Sequence, residues 1–279
     1  MTSLKSITQL SAEYAQTKKT GCMPTGFPQL DRLIGGFSEG EFIVVGGRPG
    51  MGKTQLLVNL SLNLSQTYPV LFLSFELSRR QVFERILAAL SDVETCKIAQ
   101  ENLNEEEKSR LAASLKTLDK YRLFIDDCAP KTIESLVPYC IRQIKTYEIK
   151  MIVIDFIQLL SLDRTDCNRS EIWLEIKNLA KENNVCIVAS SAVGFDRFYI
   201  PEEIQLPALH DLNMNNLEEY ADRVLFISSS DSDAVVDIVV AKNYHGATKR
   251  IRLKRTPEFT RIFDPKTELD LEKDLMMPF

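Results

Sequence analysis

The chain has 279 residues, of which 44% are hydrophobic and 26% charged, with a net charge of −5. That balance fits a soluble globular protein of one large or two small domains and argues against a surface coated in cations for duplex DNA. Two histidines rule out a histidine-rich metal centre, and six cysteines without C-x-x-C spacing read as reduced cytosolic thiols.

No run approaches the ~18 apolar residues of a membrane helix. The N-terminus lacks the long apolar stretch of a secretory signal, so a cytoplasmic location is expected. Residues 3–16 are predicted to form an amphipathic helix with Leu4, Ile7, Leu10 and Tyr14 on one face, broken by Lys18-Lys19-Thr20-Gly21. Such a helix either docks on a neighbouring subunit or folds back on its own domain. From Thr25 onward strands and helices alternate. Strands are predicted at 42–45, 70–75, 123–125, 151–154, 186–189, 224–227 and 235–241, and helices at 53–66, 78–91, 105–118, 132–147 and 171–183. The strands do not alternate apolar with polar residues, which is how strands buried on both faces of a parallel sheet read. The last strands lack intervening helices, which predicts an antiparallel flank.

The run 47–54 has the form G-x-x-x-x-G-K-T, a phosphate-binding loop, between an apolar strand and a helical pattern. Gly47, Arg48, Pro49, Gly50, Met51 and Gly52 supply backbone N–H groups for phosphate oxygens, and the start of the helix, with Gln55, adds free N–H groups and a positive dipole end. Lys53 is placed to reach the β- and γ-phosphates, and Thr54 to hold Mg²⁺. Two further strands end in acids. Asp155 closes an apolar run and, on a parallel strand, falls at the carboxyl end where ligands of α/β sheets bind, a position suited to Mg²⁺. Glu76 closes a second run and is placed to polarise a water near a γ-phosphate. Arg85, on the next helix, is a candidate to steady that carboxylate or a phosphate. For both acids the structural alternative is a helix cap.

With Thr25-Gly26-Phe27, Leu30-Asp31, Phe75-Glu76-Leu77, Ile125-Asp126-Asp127, Ile154-Asp155-Phe156-Ile157-Gln158-Leu159, Ala221-Asp222 and Ala241-Lys242-Asn243 added, the chain resembles the C-terminal motor domain of DnaB-type replicative helicases. The resemblance implies an α/β, RecA-like P-loop fold: a mostly parallel central sheet flanked by helices, with antiparallel strands on the C-terminal side. It implies a helix and linker over 1–20, the ATPase domain over 21–264 and a tail over 265–279, without the primase-contacting N-terminal domain of full-length members. It further implies ATP and Mg²⁺ as cofactors, and a homohexameric ring that hydrolyses ATP between subunits and pulls single-stranded DNA through its centre during replication. Lys53, Thr54, Glu76 and Asp155 then form the nucleotide and catalytic set, joined by Lys242 from a neighbouring subunit.

Three positions depart from that pattern. Ala192 stands where members carry a γ-phosphate-sensing Gln, and Tyr244 where they carry an Arg that serves the neighbour's nucleotide. The DNA-facing loop reads Asp211-Leu212-Asn213-Met214-Asn215-Asn216, without its arginine and glycine. An alanine offers no side-chain donor or acceptor, and a tyrosine no cationic fork; Lys249 or Arg250 are the nearby substitutes. The alternatives are therefore an ATP-binding, hydrolysis-poor scaffold, or a RecA-like ATPase that binds single strands without unwinding. Arg164, Arg169 and Arg197 are the candidate DNA contacts. The stripe 249–255 alternates basic and apolar residues, as a strand with one solvated face does.

Overall fold

The computed structural model describes residues 5–16, 22–162, 169–193, 207–212, 216–229, 234–256, 258 and 260–265. The strands are β1 (Phe42–Gly47), β2 (Val70–Ser74), β3 (Leu123–Asp126), β4 (Met151–Asp155), β5 (Cys186–Ala192), β6 (Arg223–Ser229), β7 (Val235–Asn243), β8 (Lys249–Arg255) and β9 (Ile262–Phe263). They form one sheet in the order β3-β2-β4-β5-β1-β6-β7-β8-β9. Strands β1 to β6 pair parallel, and β6 to β9 pair antiparallel. The helices are α1 (Ile7–Gln16), α2 (Pro28–Ile34), α3 (Lys53–Ser65), α4 (Arg79–Ser91), α5 (Thr95–Ala99), α6 (Glu105–Leu115), α7 (Ile133–Tyr147), α8 (Ser170–Asn183) and α9 (Leu217–Tyr220).

The apolar runs of the central strands divide by pleat between two cores. Ile43, Val45, Phe72, Val153 and Val188 face one layer with Leu56, Leu57 and Leu60 of α3 and Val82 and Ile86 of α4. Phe42, Val44, Leu73, Ile152, Ile154 and Ile187 face the other, with Leu136 of α7 and Trp173, Ile176 and Leu179 of α8. Both faces are covered, so neither needs polar residues, and the period-2 signal disappears from the sequence. The stripe 249–255 is β8, with Ile251 and Leu253 buried and the cations between them outward. Short α2, α5 and α9 were not predicted; α6 stops at Leu115, and a 3₁₀ turn follows at Leu118–Lys120.

In α1, Ile7 is 84% and Leu10 50% exposed, so these two side chains are not packed back onto the domain. Among the described residues, no helix is long and apolar enough to cross a membrane.

Candidate nucleotide-binding site

β1 ends in two glycines because the neighbouring strand leaves no room for side chains. A Cβ on Gly46 would lie 2.5 Å from the ring of Phe226, closer than van der Waals contact allows. The chain then turns over the sheet edge, and Gly52 takes φ 92° as the N-cap of α3, a conformation that glycine adopts without strain. The first N–H groups of α3 point out of the loop, with the positive end of the helix dipole behind them. Lys53 folds beneath this loop. Its Nζ donates to the carbonyls of Gly47 at 2.9 Å and Arg48 at 3.1 Å. Burial pushes its ammonium below the usual lysine range, and the charges of Asp155 and Glu76 pull it back up.

Asp155 is 1% exposed at the tip of β4. Thr54 Oγ1 donates to its Oδ2 at 2.8 Å, and Ser190 Oγ donates to its Oδ1. Its backbone carbonyl accepts from Phe75 N at 2.7 Å, which ties the tips of β2 and β4 together. Neither acid is a helix cap. Ser78 caps α4 in a reciprocal box with Gln81, which leaves the exposed Glu76 free to face the cleft. The 3₁₀ turn after β4 has Phe156, not Asp155, at its N-cap.

These groups line one cleft of about 370 Å³, formed by Pro49, Gly50, Gly52, Lys53, Thr54, Gln55, Glu76, Arg85, Asp155, Phe156 and Ala192. A second cavity of about 310 Å³ shares Gly50, Gly52, Gln55 and Arg85, and adds Met51 of the loop with Val236, Arg255 and Ile262 from the antiparallel flank. Gln55 Nε2 donates to the Thr260 carbonyl, tying α3 to the loop before β9. Hard oxygen donors, the carboxylate of Asp155 and the hydroxyl of Thr54, meet at the cleft wall, a set that fits Mg²⁺.

The other candidate residues lie elsewhere. Lys242, near the far end of β7, donates to the carbonyls of Glu218 at 2.6 Å and Glu219 at 3.4 Å, and stands 4.4 Å from the Tyr244 ring centroid. It lines neither cavity. Tyr244 is 63% exposed. Arg250 is held by both oxygens of Asp237, so it is committed within the flank. Arg169 is exposed at the N-cap of α8. Arg164 and Arg197 lie outside the described residues, as do three residues of the loop at 211–216.

Sequence reasoning missed two residues of this region. Ser190 contacts Asp155, and Gln158 Nε2 donates to Ser191 Oγ at 2.9 Å and to the Ala192 carbonyl at 3.0 Å. An amide thus reaches the Ala192 backbone from the turn after β4. The available signal for Ser190 was a hydroxyl directly after the apolar run Cys186-Ile187-Val188-Ala189.

A family model described as the DnaB-like helicase C terminal domain matches residues 22–264. The probable replicative DNA helicase of Trieres chinensis is 31% identical over 261 residues, covering 87% of this chain and 57% of that protein. The replicative DNA helicase DnaB of Haemophilus influenzae is 32% identical over 257 residues, covering 85% of this chain and 54% of that protein. The chain therefore spans little more than half the length of these curated relatives. Among solved structures, the ATPase domain of the protein G40P superposes with a TM-score of 0.81 at 23% identity, covering 93% of this chain and 97% of that one, a likeness of fold. With its phosphate loop, acid-tipped strands and antiparallel flank, the chain belongs to the DnaB-like helicase C-terminal domain family.

Proposed function

We propose that this chain is the ATP-hydrolysing motor unit of a replicative DNA helicase, built on residues 21–264 and working on single-stranded DNA as a ring of identical copies. The observation that carries this reading is the convergence of Lys53, Thr54, Asp155 and Glu76 on one cleft in a chain of this family. In this reading the N–H groups of the loop and of α3 hold the phosphates, and the Lys53 ammonium leaves its two carbonyls to meet them. Thr54 and Asp155 hold Mg²⁺, which neutralises charge on the phosphate oxygens when bound. Glu76 orients and deprotonates the attacking water from the cleft mouth. Arg85 lines both cavities and steadies the nucleotide across them.

Lys242 serves the neighbouring copy's nucleotide. Its place outside its own cleft, on an exposed hairpin beside Tyr244, supports that role. Arg169, exposed at the start of α8, is a DNA contact in the same reading, with Arg164 and Arg197 as further candidates.

Steady-state ATPase measured with and without single-stranded DNA tests the proposal. DNA-stimulated turnover that Lys53→Ala abolishes is expected, together with unwinding of a forked duplex. Tight ATP binding without turnover would overturn the motor reading and leave a scaffold. Light scattering with a saturating ATP analogue should find an assembly larger than a monomer, and a monomer at micromolar protein would overturn the shared site.

A further inference from the structure

The cleft's acid is gripped from two sides, and one of the two grips was not anticipated. The parallel register sets Ile154 beside Ala189 and Val45 beside Ser190, which brings Asp155 and Ser190 side by side at the strand tips. Ser190 is 0% exposed and follows Cys186, Ile187, Val188 and Ala189 in a strand interior that is otherwise apolar up to that point. A hydroxyl in such a place is costly unless it is hydrogen-bonded. Its partner is Asp155 Oδ1, while Thr54 takes Oδ2 from α3. A carboxylate with one donor can swing about its Cβ–Cγ bond, because terminal torsions of this kind are broad. Two donors on different oxygens, from different elements, remove that freedom.

We propose that Ser190 is a positioning residue for the magnesium site: it occupies Oδ1 of Asp155 so that Oδ2 is turned towards Thr54 and the cation. This rests on the nucleotide reading above and names what orients its metal carboxylate. Ser190 touches neither the nucleotide cleft nor the cation position, and it acts only through Asp155. The adjacent Ser191 provides an internal control, because its hydroxyl accepts from Gln158 instead.

The test uses the full chain and a non-hydrolysable ATP analogue, with binding followed by calorimetry as Mg²⁺ is titrated. Ser190→Ala should raise the Mg²⁺ concentration at half-saturation about 10-fold, the low end for loss of a partner that orients a metal ligand. Binding of the analogue without metal should stay unchanged, and Ser191→Ala should keep the wild-type Mg²⁺ midpoint. A merely structural hydroxyl would weaken both variants alike and move metal-free binding too. If Ser190→Ala does not fold, Ser190→Cys, close in size but a weak donor, gives the same comparison. A folded Ser190 variant with the wild-type midpoint, or equal shifts in the Ser190 and Ser191 variants, overturns the proposal. Wild-type protein without any Mg²⁺-dependent uptake strikes down the nucleotide reading itself, a result distinct from either.

Discussion

Two carboxylates are withdrawn from water at opposite ends of the parallel strands: Asp155, 1% exposed at the end of β4, and Glu41, 4% exposed just before β1. Their partners differ in kind. Glu41 meets the guanidinium of Arg223 at 3.0 Å, itself 1% exposed, accepts from Ser38 N at 2.9 Å, and has His245 Nε2 at 3.5 Å. Asp155 meets two neutral hydroxyls at the wall of an open cleft. A buried acid neutralised inside the fold has no charge left to offer a ligand. A buried acid whose direct hydrogen-bond partners are hydroxyls is not bound in an ion pair of that kind and can take a cation. Burial alone thus does not mark a site; the charge of the partner does.

The strongest way to break this comparison is on the structural side. Arg223→Met leaves Glu41 buried without its cation and should cost ~3–5 kcal/mol in urea unfolding. Burial already raises the Glu41 carboxyl above its ordinary value of 4.5, and Arg223 opposes that rise. Without Arg223 the carboxyl rises further, so the native state holds a proton that the unfolded chain has released. Stability of the variant should therefore recover as pH falls from neutral towards 4.5 and decline as pH rises through the raised value. Equal stability at all pH values would show that Glu41 and Arg223 are not coupled.

Next in size is Glu76→Gln, which tests the exposed acid beside the buried one. Nucleotide affinity should hold while turnover falls by about 10²-fold, the low end for general-base catalysis; unchanged turnover would make Glu76 structural. Asp155→Asn sharpens the comparison directly. Its amide still pairs with both hydroxyls, so unfolding should change by less than ~1 kcal/mol. Mg²⁺-dependent nucleotide affinity should drop ~10–100-fold by calorimetry. A large loss of stability would place Asp155 in the same class as Glu41.

The smallest effect belongs to a half-buried acid away from the cleft. The Arg79 backbone N–H, with its side chain, holds Asp127 down at about 2. Its contribution is full above the ordinary 3.8 and fades as pH falls towards 2. Asp127→Asn should remove that acid-sensitive part of an unfolding titration and leave nucleotide binding alone.

Much of the molecule was legible because its signals are local. The phosphate loop, the apolar runs ending in Glu76 and Asp155, and the helices after them are each contained in one stretch of chain. The antiparallel flank followed from missing helices, and β8 from its alternation. What escaped reading depends on register between distant strands. Ser190 is meaningful only when β5 lies beside β4, and Arg223 only when β6 brings it to Glu41. Gln158 belonged to a recognisable motif, yet its bond to the Ala192 carbonyl needs the same pairing. Helices as short as α5 and α9 carry too few turns to show a period.

Trp173, the chain's single tryptophan, is fully buried on the core-facing side of α8 and lines neither cavity. Its indole fluorescence is therefore a built-in gauge of folding, indifferent to what enters the cleft. A labelled nucleotide added to the same cuvette would report occupancy at a second wavelength, so collapse of a variant and loss of its ligand can be told apart in one experiment.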